Sequence, residues 1–112
     1  MSENNEDKKF FEFPLDLDIL FERAGLLGNA SPKEWYIYLK KRGFDPKPLG
    51  YGNFKGIKFE NGGGFVIHWG GDKILMYHPP KRTHHGENAY WKLSSGPFGK
   101  LRYDLTGNEL EE

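Results

Sequence analysis

Apolar residues follow two regimes along this chain. Between Leu15 and Leu39 they recur at spacings near three and four; beyond residue 54 they alternate with polar residues in short runs cut by glycine. The first regime predicts two helices. Asp16 or Asp18 can open the first, with Leu15, Ile19 and Ala24 or Leu27 near helical spacing, and Gly25 or Gly28 can close it. The second has a sharper start: Ser31-Pro32-Lys33-Glu34 supplies an N-cap, a proline at the first helical position and a capping-box glutamate. Trp35, Tyr38 and Leu39 share one face of it. Lys40, Lys41 and Arg42 crowd its last turn, where positive charge suits the helix dipole, and Gly43 follows as the residue that ends it.

The second regime predicts strands over residues 54–60, 65–69, 74–78, 89–94 and 100–105, joined by the polar or glycine-rich stretches 61–64, 70–72, 79–88 and 96–99. Helices followed by such strands predict an α+β fold, with two N-terminal helices packed on an antiparallel meander of about five strands. Because side chains alternate along a strand, Phe65, Ile67, Trp69, Trp91, Leu93, Leu101 and Tyr103 are expected toward the helices. His68, Lys92, Ser94 and Arg102 then share the opposite, exposed face, with the 79–88 loop at its edge.

The chain has 112 residues, enough for one domain with one modest core. That domain is expected over 10–112, behind a polar, charged stretch at 1–9 expected to be disordered. There is no cysteine, so neither a disulfide nor a thiolate–metal site contributes. No apolar run approaches the ~20 residues of a membrane span. The acidic N-terminus does not read as a secretory signal.

The formal net charge of zero conceals a segregation. Residues 1–22 carry seven acidic and two basic groups, and residues 109–112 carry three acidic groups. Between Lys33 and Tyr103 there are 13 Lys or Arg against five acidic residues, an excess of eight positive charges. Such a block favours phosphate-rich partners; the bland alternative is a solvated surface balanced by acidic ends.

Residues 77–103 concentrate the chemistry: three His, Lys81, Arg82, Lys92, Lys100, Arg102, Ser94, Ser95 and Glu87 lie among aromatic strand residues. These are the groups that metal-free RNA cleavage requires. Histidine, with an unperturbed pKa of ~6.5, suits proton transfer to and from the 2′- and 5′-oxygens. Lys and Arg stabilise charge on the phosphoryl oxygens, and Ser or Tyr can hold the phosphate in line. His84 and His85 sit beside Lys81, Arg82 and Glu87; Gly86 and Glu87 favour His85 slightly, and a solvent-exposed loop pair is the alternative. His78 ends a strand and is either structural or the second proton carrier, and His68 reads as an ordinary strand histidine. Lys92 is the leading cation candidate and Arg102 the next, each set against an outward-pointing strand residue of no special role. Tyr90 and Tyr103 can stack bases, although Tyr103 falls on the expected core face.

Other chemistries fit less well. Asn61-Gly62-Gly63-Gly64 lacks the Lys-Ser/Thr of a phosphate loop and opens a strand, and no Gly-x-Ser-x-Gly elbow is present. His78, His84, His85, Glu87 and Asp72 could ligate a metal, but a ββα nuclease wants a helix where 89–94 reads as a strand. No metal and no cofactor is implied.

The segments GGGFVIHWGGD at 62–72, YHP at 77–79, HHGENAYWKLSSG at 84–96 and RYDLTGN at 102–108 resemble the C-terminal toxin domains of bacterial polymorphic and contact-dependent toxin systems. The stretch HHGENAYWKLSSGPFGKLRYDLTGNEL at 84–110, about 27 residues, is also similar to the cytotoxic domains of ribosomal-RNA-cleaving colicins. The resemblance implies a metal-independent RNase of the barnase-like, EndoU-like, colicin and RelE-like group, leaving a 2′,3′-cyclic phosphate. By position it points to His85 (or His84), Lys92, Ser94 or Ser95, and Arg102; Ser95, Arg82, Lys81, Tyr90, Tyr103 and His78 are the residues expected to contact substrate. It implies an RNA substrate (tRNA, rRNA or mRNA), a cognate immunity protein, and a monomeric effector delivered to act in a target cell's cytoplasm. Arg82 stands where the colicins carry an acid and Ala89 where they carry a second glutamate, so the colicin acid–base scheme does not carry over. The alternatives are a non-catalytic RNA-binding or interaction module, and a metal-dependent histidine nuclease.

Overall fold

The computed structural model describes residues 12–80 and 89–110. Ser31 opens the α-helix α1 (Pro32–Lys41) with the capping box its sequence encodes: the Ser31 hydroxyl accepts from Glu34 N–H at 3.1 Å, and the Glu34 carboxylate accepts from Ser31 N–H at 2.7 Å. Gly43 ends the helix at φ +91°, a conformation that costs glycine no Cβ clash. Trp35 and Leu39 are fully buried. The Trp35 indole N–H donates to the Leu27 carbonyl at 3.3 Å, fastening the helix to the segment before it.

That earlier segment departs from expectation. Instead of one α-helix it forms two 3-10 turns, Leu17–Phe21 and Ala24–Asn29. Asp16 does cap the first, its carboxylate accepting from Asp18 N–H at 2.9 Å. Leu17 and Leu20, three residues apart, are both buried, a spacing that 3-10 geometry aligns. Gly25 and Gly28 weaken any longer α-helix. The backbone of Gly28 also lies so close to the 104–108 turn that a Cβ there would sit 2.1 Å from the Thr106 carbonyl oxygen.

The sheet is an antiparallel meander of four strands among the described residues: β1 (Phe65–Trp69), β2 (Lys73–His78), β3 (Tyr90–Ser95) and β4 (Gly99–Asp104), in that spatial order. The register aligns Phe65, Tyr77, Trp91 and Tyr103 in one row and Ile67, Leu75, Leu93 and Leu101 in the next. Both rows face α1, and the Trp35 and Trp91 rings meet edge-on at 6.3 Å. All seven residues expected on this face belong to the core or pack against it.

The expected strand over 54–60 is not a strand. The segment is a series of turns ending in the short 3-10 helix Phe59–Asn61. Gly52 and Gly56 take positive φ, Gly56 N–H bonds back to the Leu49 carbonyl at 2.9 Å, and the β1 edge is occupied by Lys47, which exchanges hydrogen bonds with Val66 at 3.0 and 2.9 Å. At the other edge the chain after β4 folds back, and Leu110 N–H donates to the Arg102 carbonyl at 2.8 Å. Asp104 holds that turn by accepting from Thr106 N–H, the Thr106 hydroxyl and Asn108 N–H. No helix among the described residues is long and apolar enough to cross a membrane.

Candidate nucleic-acid interface

With one sheet face committed to α1, strand alternation sends the intervening residues to the other. The register sets them in three rows: Val66, Met76, Lys92 and Arg102; His68, Ile74, Ser94 and Lys100; His78, Tyr90 and Asp104. His68, Lys92, Ser94 and Arg102 therefore share a face, as the alternation predicts, and Lys92 stands directly opposite Arg102. Like charges paired across a ladder are unfavourable by themselves. Here both cations lean on aromatic rings: the Lys92 ammonium lies 5.8 Å from the Tyr51 ring centroid and the Arg102 guanidinium 5.7 Å from that of Tyr90.

The aromatic groups form a continuous patch. His78 and Tyr90, paired across β2 and β3, stack with centroids 4.5 Å apart and planes 10° from parallel. The Tyr51 ring follows at 6.1 Å from His78. Lys92 Nζ donates to the Tyr51 hydroxyl at 3.2 Å, and that hydroxyl in turn donates to Met76 Sδ at 3.5 Å. A thioether is a weak acceptor, so the phenolic proton remains available to a better one such as a phosphate oxygen. Nε2 of His78 lies 2.9 Å from the same sulfur. Two cations, a phenol donor and two stacked rings, all half-exposed, can hold a phosphate and an unpaired base side by side.

Of the residues singled out from the sequence, Lys92, Arg102, Ser94, Tyr90 and His78 come together on this face. Ser95 and Tyr103 do not. Ser95 has the same parity as Trp91 and Leu93 and turns inward, and its hydroxyl accepts from Phe98 N–H at 3.3 Å to close the β3–β4 turn. Tyr103 is buried beside Trp91 on the core face; burial raises its phenol above the ordinary range, with Glu109 adding a smaller push, and its ring cannot reach a base on the opposite side. Lys81, Arg82, His84 and His85, with Glu87, lie outside the described residues. The flanking positions are described: His78 and Tyr90 pair at the ends of β2 and β3, beside the aromatic patch.

Tyr51 and Met76 escaped the sequence reading. Tyr51 had one available sign, an aromatic residue between Gly50 and Gly52 in a turn-rich stretch, where a large ring has no local core to enter. The metal-site reading gains no cluster here: among the described residues no three His, Asp or Glu groups converge. Asp72 and His78 stand at opposite ends of β2, and the Asp72 carboxylate accepts from Gly96 N–H at 2.8 Å, tying the two hairpin turns together.

Comparison with protein-family models, with curated proteins and with solved structures finds no match for this chain.

Proposed function

We propose that the protein is a metal-independent ribonuclease of the toxin type that binds unpaired RNA on the open sheet face. The observation that carries this reading is the pairing of Lys92 with Arg102 on one exposed face, bordered by the stacked His78–Tyr90 rings and the Tyr51 hydroxyl. In this reading Lys92, Arg102 and Tyr51 hold the scissile phosphate, Ser94 lies one row away to position it, and Tyr90 supports a base. The 2′-oxygen attacks phosphorus as a base removes its proton; the P–O5′ bond breaks as an acid protonates the leaving oxygen, giving a 2′,3′-cyclic phosphate and a free 5′-hydroxyl. His68 and His78 both lie on this face, and His78 is the one beside Tyr51 and Tyr90; His85 or His84 supplies the second proton carrier. The resemblance noted above extends the proposal to a delivered bacterial effector with a cognate inhibitor protein.

A non-catalytic RNA-binding module uses the same face, and the close stacking of His78 on Tyr90 favours it, because a ring held this way serves recognition as readily as proton transfer. One assay separates the readings: total RNA incubated in EDTA with the wild-type protein, Lys92→Ala, His78→Ala and the His84→Ala/His85→Ala double variant. Fragments with 2′,3′-cyclic ends from the wild type, with rates lower by ~10²–10⁴-fold in a histidine variant and ~10²-fold or more in Lys92→Ala, are expected. Binding without cleavage in EDTA selects the module, and cleavage only after adding Mg²⁺ or Zn²⁺ selects a metallonuclease.

A further inference from the structure

A second surface, on the helix side of the sheet, is built differently. Ile37 on α1 is 43% exposed, and beside it the Tyr36 and Phe59 rings stack at 4.5 Å, giving an apolar floor. Lys33, Lys40 and Lys41 rim this hollow along α1. A second hollow, walled by Lys58 and the Pro46–Pro48 stretch, shares Tyr36, Phe59 and Glu60 with the first, so the two adjoin and form one grooved surface. All four lysines are exposed. The acidic group within the groove, Glu60, is held ionised by its own backbone N–H and by the Tyr36 hydroxyl, which donates to it at 3.0 Å; Lys40 and Lys58 add to that effect. The rim therefore keeps a surplus of positive charge around an apolar strip.

We propose that this groove docks a protein segment carrying an aliphatic or aromatic anchor flanked by aspartate or glutamate. The floor selects the anchor: isolated exposed apolar residues are ordinary, but an exposed Ile37 continuous with two stacked rings in a concave, cation-rimmed strip is an interaction surface. The lysines select the flanking charge and speed the encounter. Glu60 decides against nucleic acid. It lines both hollows, so its carboxylate repels a phosphate that passes from one to the other, whereas a peptide can space its acids past it. The Tyr36 ring is contacted by Phe59 at 4.5 Å and by the Lys40 ammonium at 5.2 Å, and Phe59 is further engaged edge-on by Phe65 and Tyr77. This inference does not rest on the ribonuclease reading, since Lys92 and Arg102 lie on the other face of the sheet.

The test is titration of ¹⁵N-labelled protein with a 12-residue peptide of alternating Glu, Asp, Leu and Phe, against a control with Lys for each acid and against a single-stranded 12-mer RNA. Saturable amide shifts at 33–41 and 58–60 with the acidic peptide, absent with the control, are expected. Lys40→Glu/Lys41→Glu and, separately, Ile37→Ser should each weaken binding about tenfold or more, equivalent to ~1.4 kcal/mol, while leaving RNA binding at Lys92 unchanged. Both sets of positions are exposed, so the fold survives, as unchanged amide shifts in the sheet would verify. No saturation by about 1 mM peptide, shifts confined to the Lys92 face, or RNA displacing the peptide from the groove would each overturn the proposal.

Discussion

Tyr51, a 49% exposed residue, holds its hydroxyl between a cation and a sulfur, 3.2 Å from Lys92 Nζ and 3.5 Å from Met76 Sδ. Tyr51→Phe removes the donor and keeps the ring, so affinity for a fluorescent single-stranded RNA should fall by about the value of one hydrogen bond, ~0.5–1.5 kcal/mol. Tyr51→Ala should cost a further ~1–3 kcal/mol if a base stacks there. Equal losses in the two variants, measured by anisotropy, would remove the ring from the contact. Asp18 is a different kind of residue. Its carboxylate accepts from Lys73 Nζ and from the Trp69 indole N–H, both at 2.8 Å, and those bonds, Lys73 first, hold its pKa below the ordinary carboxylate value. A depressed folded-state pKa contributes stability above the unfolded value of ~3.9, and that contribution is lost as pH falls through the folded value. Asp18→Asn should therefore lower Tm near neutral pH, and the gap to wild type should narrow in melts carried to progressively more acid pH, as the wild-type carboxylate is protonated.

At the scale of elements, α1 was the most legible part of the chain, because its signals are local. The Ser31 cap, the Glu34 return bond and the Gly43 stop act within three residues of the helix ends. Ser31→Ala should cost ~1 kcal/mol in denaturant unfolding, with the Lys92–Arg102 face untouched. The 3-10 segments were less legible because their pitch is set from outside. Leu17, Leu20 and Leu27 must reach a core shared with Trp91, and Gly28 must let the Thr106 carbonyl approach. Gly28→Ala should destabilise by roughly 1–3 kcal/mol, because the added Cβ meets backbone that cannot swing aside. Hydrogen exchange should then report loosening at Leu110, whose N–H closes the β4 edge.

At the scale of the whole molecule, charge and topology act together. Part of the positive charge between Lys33 and Tyr103 lies on two surfaces among the described residues, the sheet face of Lys92, Lys100 and Arg102 and the α1 groove. On the proposed function, RNA affinity should fall with salt, with a slope of about −0.7 per phosphate contacted on a single strand. Lys92→Ala should flatten that slope by about one such contact, whereas Lys40→Glu/Lys41→Glu should leave it unchanged. A slope altered by the groove variant and not by Lys92→Ala would move the nucleic-acid surface to the helix side.

The sequence alone determined which strand residues face α1 and which face away. Side chains alternate with a period of two, so burying Trp91 and Leu93 necessarily exposes Lys92 and Ser94, and the same parity turns Ser95 inward. It also determined the start and stop of α1, where a few neighbouring hydrogen bonds decide the outcome. Only the tertiary structure decided that Lys92 would stand opposite Arg102, that His78 would stack on Tyr90, and that Lys47 rather than the 54–60 segment would border β1. It alone brought Tyr51 to Lys92, across 41 residues of chain. Those pairings depend on strand register and on the path of glycine-rich turns, which are settled by the packing of the whole sheet against α1. No local periodicity records them.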